Sequence, residues 1–327
     1  MVENVDGNLT VYFRGQYMPL RDANVGILTH ALHYGTGVFE GIRAHWNAER
    51  DELLVMRMAE HYERWKANCG ILQIDPGLTV EDLCAITVEL LRRNELRTNC
   101  YIRPLAFKSA EGIGVHCEAK SDFAIVAVPF GEYLRAENGV HAGVSSWRRI
   151  DDNAIPARAK ICGAYVNSVL ATEEVRASGF DEAILLNESG HVAEGSTCNV
   201  FMVRKGALIT PPVYDNVLEG ITRASITALA NRELRIPVKE RSIDHSELLV
   251  CDELFLTGTA VGVAPVTRVN HHPVGAGSPG PVTRALRELY TRAALGELTA
   301  YEHWLTPVYL SHGEQQQNRS LAEATLG

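Results

Sequence analysis

Strand-like and helix-like segments are mixed in both halves of the chain, and this arrangement limits the possible folds more than any other feature. The halves meet at one polar, turn-prone segment, "FGEYLRAENG" at 130–139. Because 327 residues exceed what one hydrophobic core usually serves, we expect two domains. The sequence predicts an α/β fold with mixed sheets, a smaller N-terminal domain at 1–129, an interdomain loop at 130–139 and a larger C-terminal domain at 140–327. A ligand is expected between the domains.

Hydrophobic periodicity and turn residues place the individual elements. A hairpin is predicted at 9–18 with its turn at Gly15, and the other predicted strands are 52–57, 99–108, 122–129, 140–146, 181–187, 197–204, 206–210 and 252–258. The predicted helices are 58–70, 79–94, 162–179, 220–234 and 280–295. Gly70 is predicted to end the first of them. Thr79 and Asp82 have the spacing of a capping box at the start of the second helix.

Charge and cysteine usage argue against several classes of protein. A net charge of −9 is unfavourable for nucleic-acid binding, which needs a basic surface. The seven cysteines are scattered singly without a C-x-x-C pair, a pattern typical of reduced thiols in the cytoplasm. The N-terminal stretch lacks a signal-peptide pattern, and no segment approaches the roughly 20 apolar residues of a membrane helix. We expect a cytoplasmic protein with no metal site and no membrane or nucleic-acid partner.

The stretch "IPARAKICGAYVNSVLA" at 155–171 places one lysine, Lys160, among small and aliphatic residues. One interpretation is a solvated surface lysine. The other is a pocket lysine, whose amine loses its proton on burial and forms a Schiff base with a carbonyl substrate or with pyridoxal phosphate. Gly163 and Ala164 leave room for a flat ligand beside it. This stretch alone leaves both interpretations open.

Three further stretches contain candidates for contacts with such a ligand. Glu194, in "HVAEGSTCNVFMV" at 191–203, is either a turn acid facing solvent or a carboxylate that keeps a pyridine nitrogen protonated. Gly220 and Thr222 open the helix in "NVLEGITRASITALA" at 216–230, where free N–H groups favour an anion, although Thr222 could be an ordinary helix-start residue. Thr259, in "LTGTAVGV" at 256–263, is a turn residue or another anion contact.

Two strand-like stretches combine aromatic rings with cations. In "HYGTGVFEGIRAHW" at 33–46, Phe39 and Arg43 share a strand face with a glycine between them, which lets a flat group approach closely. In "CYIRPLAF" at 100–107, Arg103 shares a face with Tyr101 inside an otherwise apolar strand. An arginine there needs a partner, either an internal acid or a ligand carboxylate. Arg64, in "EHYERW", is by default a solvated helix charge.

Together these segments resemble the class IV (fold type IV) pyridoxal-phosphate enzymes, and most closely the branched-chain amino acid aminotransferases. The resemblance runs from about residue 8 to about residue 308, in the family's order. The segments are "THALHYGTGVFEGIR", "YIRP" with "GIGV" after it, "PARAKICGAY", "EG" followed by "NVF", "LEGITR" and "GTA". The resemblance implies pyridoxal 5′-phosphate between two α/β domains, and a homodimer or higher homo-oligomer with a shared active site.

The resemblance also implies roles for individual residues. Lys160 matches the catalytic lysine that forms the Schiff base and moves a proton, Glu194 the acid at the pyridine nitrogen, and Tyr165 the donor to the cofactor's 3′-oxygen. The implied cofactor contacts are Arg64, Lys160, Tyr165, Glu194, Leu218, Ile221, Thr222 and Thr259. The implied substrate contacts are Phe39, Tyr101, Arg103, Tyr133, Thr259 and Ala260, with Tyr34 and Val115 at positions that the family supplies from the neighbouring subunit.

The implied reaction moves an amino group between branched-chain L-amino acids (leucine, isoleucine, valine) and 2-oxoglutarate by a ping-pong mechanism. Two departures bear on substrate preference: "EGSTCN" resembles the Ser/Thr-rich version of D-amino acid relatives, and Phe130 stands where a tryptophan is often found. The same scaffold serves (R)-selective amine and D-amino acid transaminases. It also serves aminodeoxychorismate lyase, which Tyr101 and Arg103 match less well. A non-catalytic relative acting as a binding module is a further alternative, against which the presence of Lys160 argues.

Overall fold

The computed structural model of the chain describes residues 7–131 and 139–309, which form two compact units. Unit 1 contains 7–33, 39–131 and 292–309, and unit 2 contains 34–38 and 139–291. The short segment 34–38 thus belongs with residues much later in the chain. Both units contain strands and helices, so the predicted mixed α/β class is confirmed.

Unit 1 is built on an antiparallel sheet. Its strands, together with the short β3 at which the chain passes from unit 2 to unit 1, are β1 Thr10–Phe13, β2 Gln16–Pro19, β3 Gly37–Phe39, β4 Ile42–Asn47, β5 Glu52–Met56, β6 Cys100–Lys108, β7 Ser121–Pro129 and β17 Leu305–Pro307. The main path across the sheet is β17-β5-β4-β6-β7-β1-β2. β6 and β7 pair over their full length, from Cys100 opposite Pro129 to Lys108 opposite Ser121. This long pair presents Tyr101 and Arg103 on one face.

The helices of the N-terminal segment are α1 His30–Tyr34, α2 Met58–Ile71 and α3 Val80–Arg93. The predicted capping box of α3 is confirmed, since Thr79 Oγ1 accepts from Asp82 N at 3.1 Å and Thr79 N donates to Asp82 Oδ2 at 2.9 Å. α2 does not end at Gly70 as the sequence predicts. It continues to Ile71, and the left-handed turn that follows falls on Gln73, with φ of 52°.

Unit 2 contains a mixed sheet. Its strands are β8 Val140–Arg148, β9 Glu182–Leu186, β10 Val192–Gly195, β11 Asn199–Arg204, β12 Ala207–Thr210, β13 Val238–Glu240, β14 Glu253–Gly258, β15 Gly262–Val269 and β16 His272–Pro273. The order is β10-β9-β8-β15-β14-β11-β12-β13, with β16 beside β15. β8 runs parallel to β9 and β15, and β12 runs parallel to β13. The remaining pairs are antiparallel.

Three helices follow β8 in the chain: α4 Tyr165–Ala177, α5 Ile221–Arg232 and α6 Pro281–Ala294. Short 3-10 helices lie at Leu20–Asp22, Cys162–Ala164, Val213–Asp215, His245–Leu249 and Thr299–Trp304. Every residue of β9 is buried, because Ala171 and Val175 of α4 cover one side of it while Ile184 and Leu186 point into the main core of unit 2. Burial on both faces explains the continuous apolar run of this strand.

Two stretches differ from what local patterns suggest. The strand expected around residues 33–46 is interrupted, since β3 ends at Phe39 and β4 begins at Ile42. At the break, Glu40 N donates to Pro104 O at 2.9 Å. The stretch 305–307 falls within the C-terminal domain predicted at 140–327, but in the structure it pairs with β5 of unit 1. Glu52 stabilises this pairing by accepting from the backbone N–H groups of Val308 and Tyr309 at 3.0 and 2.8 Å. Among the described residues, no helix has the length and apolar character needed to cross a membrane.

Candidate active site

Lys160 lies just before the 3-10 turn Cys162–Ala164 that leads into α4, and its side chain is half-buried. Its Nζ is 3.0 Å from the phenolic oxygen of Tyr165, the first residue of the helix. The 3-10 turn Cys162–Ala164 between them brings the tyrosine back beside the lysine. The pair therefore combines an amine and a hydroxyl in hydrogen-bonding contact, an arrangement suited to proton exchange.

Two glycines hold the lysine segment against residues 34–38 of the same unit. Gly163 N donates to Gly35 O at 3.1 Å, and Val38 forms a β-bridge with Ile161. Gly35 has φ of +64°, and a Cβ built on it would lie 2.6 Å from the Cα of Gly163. Side chains at Gly35 are therefore excluded by both conformation and space. The glycines let backbone 34–38 lie directly beside the residue that follows Lys160.

Glu194, in β10, has a buried carboxylate that is fixed from two sides. Its Oε1 lies 2.7 Å from Nε of Arg149, and its side chain is 7% exposed. Its Oε2 accepts from Leu218 N at 3.0 Å and from Asn199 Nδ2 at 3.2 Å. A cation and two N–H donors hold the carboxylate in one orientation. The alternative of a turn acid facing solvent is therefore excluded.

Arg149 and Asn199 are site residues that sequence reasoning missed. Arg149 follows β8 and is 9% exposed, which is unusual for arginine. Asn199 opens β11 and also donates to Leu218 O at 2.9 Å, so it connects Glu194 to the loop before α5. The only local signal for Asn199 is a polar residue at the start of an apolar strand. The "RR" at 148–149 gives no sign that one arginine is buried.

The N-terminus of α5 follows directly on the Glu194 contacts. Gly220 is its N-cap, and a Cβ there would lie 2.0 Å from Oδ1 of Asn199, so a larger residue would displace the Asn199 side chain from its contacts with Glu194 and Leu218. Ile221 and Thr222 form the first turn of this 12-residue helix, and Thr222 is buried. Backbone N–H groups and the positive end of the helix dipole make such a terminus favourable for an anion.

The turn between β14 and β15 contains Thr259 and Ala260, both half-buried. These two residues and the N-terminus of α5 lie in unit 2, as do Lys160, Tyr165 and Glu194. The residues implied as cofactor contacts therefore belong to a single unit, with the exception of Arg64.

Cys198, in the "EGSTCN" loop, is fully buried close to Lys160. Burial raises the pKa of its thiol well above the ordinary value, Glu182 and Glu194 add to this effect, and Lys160 opposes it. Gly195 N donates to Cys198 O at 2.6 Å, and a Cβ on Gly195 would lie 2.6 Å from the cysteine sulfur. The thiol is therefore protonated and packs against Gly195, and it is not a nucleophile.

Arg103 is exposed and lies against aromatic rings of unit 1. Its Cζ is 4.4 Å from the centroid of Phe39 and 5.2 Å from that of Tyr101, and its Nη2 donates to the Tyr101 oxygen at 3.1 Å. It makes no ion pair within the described part of the chain, so the internal-acid alternative finds no support. A Cβ on Gly41 would overlap the Tyr101 oxygen, which is the close approach of a flat group that the glycine predicts.

Phe130 and Arg43 extend this cluster. The Phe130 ring is 5.1 Å from the Tyr101 ring, and Arg43 Cζ is 5.1 Å from the Phe130 centroid. Arg43 Nη2 also donates to Gly131 O at 2.9 Å. Rings and cations therefore form one continuous series of contacts from Phe39 to Arg43, and each contact restrains the next.

The remaining expected site residues are distributed as follows. Arg64, in α2, is 13% exposed rather than solvated and contacts Glu40 in unit 1. Tyr34 is at the start of segment 34–38 and is 36% exposed, and Val115 is 79% exposed. Tyr133 lies outside the described residues.

The polar groups of unit 2 match the chemistry of pyridoxal phosphate. Lys160 offers an amine for the aldehyde, Tyr165 a hydroxyl for the ring oxygen, and Glu194 a fixed carboxylate for the ring nitrogen. The N-terminus of α5 offers an anion site for the phosphate, and its N-cap residue, Gly220, has no side chain there. Across residues 7–131 and 139–309, no group of His, Cys, Asp and Glu is arranged to hold a metal ion.

Comparison with known sequences gives one family and consistent relatives. The family model of the class IV amino-transferases matches residues 37–269. A probable branched-chain-amino-acid aminotransferase of Aquifex aeolicus is 46% identical over 299 residues, which cover 91% of this chain and 96% of the relative. The branched-chain-amino-acid aminotransferase of Escherichia coli is 38% identical over 303 residues, covering 91% and 97%.

Solved structures give the same result. The branched-chain aminotransferase of the archaeon Thermoproteus uzoniensis, solved with norvaline, has a TM-score of 0.89 and 42% identity, covering 93% of this chain and 100% of its own. The T.th. branched-chain amino acid aminotransferase, complexed with N-(5′-phosphopyridoxyl)-L-glutamate, has a TM-score of 0.87 and 39% identity, covering 93% and 99%. The likeness in sequence and fold therefore extends over nearly the whole chain.

Proposed function

The chain belongs to the class IV aminotransferases, and we propose that it transfers the amino group of leucine, isoleucine or valine to 2-oxoglutarate with pyridoxal 5′-phosphate as cofactor. Relatives that cover more than nine-tenths of the chain are named for branched-chain amino acids. A structure solved with a phosphopyridoxyl-glutamate supports glutamate and 2-oxoglutarate as the second substrate pair. Another, solved with norvaline, supports an aliphatic side-chain pocket.

The observation that most directly supports this function is the Lys160–Tyr165 pair. When bound, the cofactor supplies an aldehyde for the substrate's amino group and a ring that withdraws electrons from the α-carbon. In our proposal, Lys160 Nζ binds the cofactor between turnovers, takes the α-proton of the bound amino acid and later returns a proton. Tyr165 restrains the position of Nζ through its 3.0 Å contact and donates to the ring oxygen.

Glu194 is proposed to hold the proton at the cofactor's ring nitrogen. Arg149 stabilises the negative charge of this carboxylate, and Leu218 N and Asn199 fix its direction. The first turn of α5, with Ile221 and Thr222, is proposed to bind the phosphate together with Thr259 and Arg64. Each of these roles follows from the position that the residue holds in the family's pattern.

One pocket has to accept both an aliphatic side chain and a second carboxylate. We assign the carboxylate to Arg103, whose guanidinium lies on Phe39 and Tyr101 and makes no ion pair in the described ranges. The aromatic faces offer apolar contact for leucine when no carboxylate is present. Tyr133, Thr259 and Ala260 are proposed to complete the pocket.

A homodimer or higher homo-oligomer is also part of the proposal. Unit 1 exposes large apolar side chains at Ile27, Leu32, Ile113 and Val115, with exposed fractions of 81%, 59%, 84% and 79%. The segments that hold them are joined, since His30 N donates to Ala110 O at 2.9 Å and Gly112 N donates to Leu28 O at 3.0 Å. Such an apolar patch is typical of a protein interface. It supports the expected contribution of Val115, and of Tyr34, to a neighbouring subunit's site.

The cytoplasm is the proposed location. None of the seven cysteines, all of which lie in the described ranges, forms a disulfide. Cysteines in this state are typical of a reducing compartment.

The proposed reaction can be tested one half at a time. The purified protein, with its cofactor and without an acceptor, is mixed separately with L-leucine, D-alanine and (R)-1-phenylethylamine, and the absorbance of the bound cofactor is followed. Rapid conversion by L-leucine alone is expected. A faster response to D-alanine or to the (R)-amine would contradict the branched-chain assignment while leaving the aminotransferase family unchanged.

A further inference from the structure

Glu40 is a fully buried carboxylate that neither the sequence motifs nor the proposed mechanism assigns to a role. It lies at the break between β3 and β4 and is 0% exposed. Arg64 contacts it through a forked pair of hydrogen bonds, Nε to Oε2 and Nη2 to Oε1, each 2.8 Å. His61 Nδ1 lies 3.4 Å from Oε1. All three residues belong to unit 1.

The charge state of Glu40 follows from these neighbours. Burial raises the pKa of its carboxyl, but Arg64 and His61 outweigh burial and hold the pKa well below its usual range. Glu40 is therefore an anion at neutral pH. If Arg64 moved away, the charge of Glu40 would be left buried without a partner, which costs a large free energy. The ion pair therefore keeps one geometry.

Two hydrogen bonds with backbone groups fix the position of Glu40 itself. Glu40 N donates to Pro104 O at 2.9 Å, and Gly41 N donates to Glu40 Oε1 at 2.8 Å. The carboxylate therefore has a fixed position relative to the sheet. Two of the five N–H donors of the guanidinium face it, and because the group is planar, this contact sets the direction of all the others.

We propose that Glu40 is a positioning residue for the cofactor phosphate, which holds the guanidinium of Arg64 in the single orientation that phosphate binding requires. The inference rests on the proposed function, in which Arg64 contacts the phosphate. An arginine held in place loses less conformational freedom when it binds an anion than a mobile one does. Glu40 thereby strengthens phosphate binding although its own charge repels a phosphate.

Two other roles for Glu40 lead to different results. If the pair only ties α2 to the sheet, its loss weakens folding and affects every ligand alike. If the negative charge of Glu40 mainly opposes the phosphate, its removal strengthens phosphate binding. The two forms of the cofactor, with and without phosphate, therefore distinguish all three possibilities.

The test compares pyridoxal 5′-phosphate with pyridoxal, which lacks the phosphate. Both are titrated by absorbance into the full-length protein after its cofactor has been removed, in wild type and in Glu40→Gln. We expect the preference for the phosphorylated form, the ratio of the two Kd values, to fall at least about tenfold, or ~1.4 kcal/mol. The Kd of pyridoxal itself should change by no more than about threefold. An unchanged or increased preference would overturn the proposal.

Two further variants distinguish a specific effect on phosphate binding from a general loss of folding. Glu40→Asp keeps the charge but moves it away from the guanidinium, so it should also reduce the preference for phosphate. Arg64→Lys keeps the positive charge but loses the fork. It should reduce the preference as well, and adding Glu40→Gln to it should have little further effect, because the two residues act through one contact. Additive losses would contradict the proposal.

Glu52 offers a matched control in the same unit. It is a 1% exposed carboxylate that accepts from the N–H groups of Leu53, Val308 and Tyr309. Glu52→Gln should lower the free energy of unfolding without changing the preference for phosphate. Wild-type protein that fails to transfer an amino group from L-leucine would contradict the proposed function. If the wild type is active but Glu40→Gln leaves the preference for phosphate unchanged, only this inference is contradicted.

Discussion

The amine of Lys160 and the hydroxyl of Tyr165 are 3.0 Å apart, joined by a 3-10 turn whose middle residue, Gly163, packs on the backbone of Gly35. The direction of the amine therefore depends on two glycines that are far apart in the sequence. A side chain at Gly35, whose Cβ would lie 2.6 Å from the Cα of Gly163, would push the turn outward and separate the amine from its hydroxyl partner. The "YGTG" and "AKICG" motifs thus serve one geometric purpose.

Lys160→Ala should remove the visible absorbance band of the bound cofactor and lower turnover by at least about 10²–10⁴-fold, because the amine is both the attachment point and the proton carrier. The measurement is the absorbance spectrum together with the rate of transfer from L-leucine to 2-oxoglutarate. Tyr165→Phe is the matched control, since it keeps the amine and should keep the band with a smaller loss of rate. A Lys160→Ala protein that still turned over would overthrow the site assignment.

Arg149→Met should destabilise the folded protein by about 3–5 kcal/mol, because it leaves the carboxylate of Glu194 buried without its cation. The free energy of unfolding is measured in urea. Arg158→Met is the control: its ion pairs to Asp152 and Glu219, at 3.6 and 3.5 Å, involve half-exposed side chains and should contribute no more than about 1 kcal/mol. Equal losses in the two variants would mean that the Arg149–Glu194 pair is no more important than a surface pair.

Local patterns in the sequence were sufficient for much of the fold. The capping box of Thr79 and Asp82, the hairpin turn at Gly15 and the place of Lys160 just before a helix all depend on residues close together in the chain. The pairing of β17 with β5 could not be found this way, because it joins strands about 250 positions apart and involves a buried carboxylate, Glu52.

Residues of the site could be predicted from the sequence only where they lie within a recognisable motif. The contacts of Arg149 with Glu194, and of Glu40 with Arg64, join segments whose spacing has no periodic signal. Hydrophobic patterns identify which positions are buried, but they do not tell which buried polar groups meet. The break at Glu40 was missed for the same reason, since alternation suggested one continuous strand.

Arg103→Ala should raise KM for 2-oxoglutarate by about 10-fold to 100-fold, and raise KM for 4-methyl-2-oxopentanoate much less, because only the former has a second carboxylate. Steady-state kinetics with each 2-oxo acid give the comparison. Arg97→Ala is the control, since Arg97 also stacks on rings, those of Trp46 and Tyr309, and should alter neither value. Equal losses for the two acids would mean that Arg103 holds only structure or the carboxylate that both acids share.

His45 should make the stability of the protein dependent on pH between about 6.5 and 4. Burial, with a further contribution from Arg43, lowers the pKa of this histidine to about 4, and its Nε2 has no hydrogen-bond partner among the described residues. In the unfolded chain the pKa is about 6.5. Between these values the unfolded chain binds a proton that the folded protein does not, so the free energy of unfolding decreases as the pH falls. The neutral form of His45 makes its full contribution to the free energy of unfolding above pH ~6.5. This contribution, up to about 3 kcal/mol, is lost by pH ~4. His45→Asn should flatten this slope in urea unfolding at a series of pH values, and a slope identical to that of wild type would show that His45 is not its source.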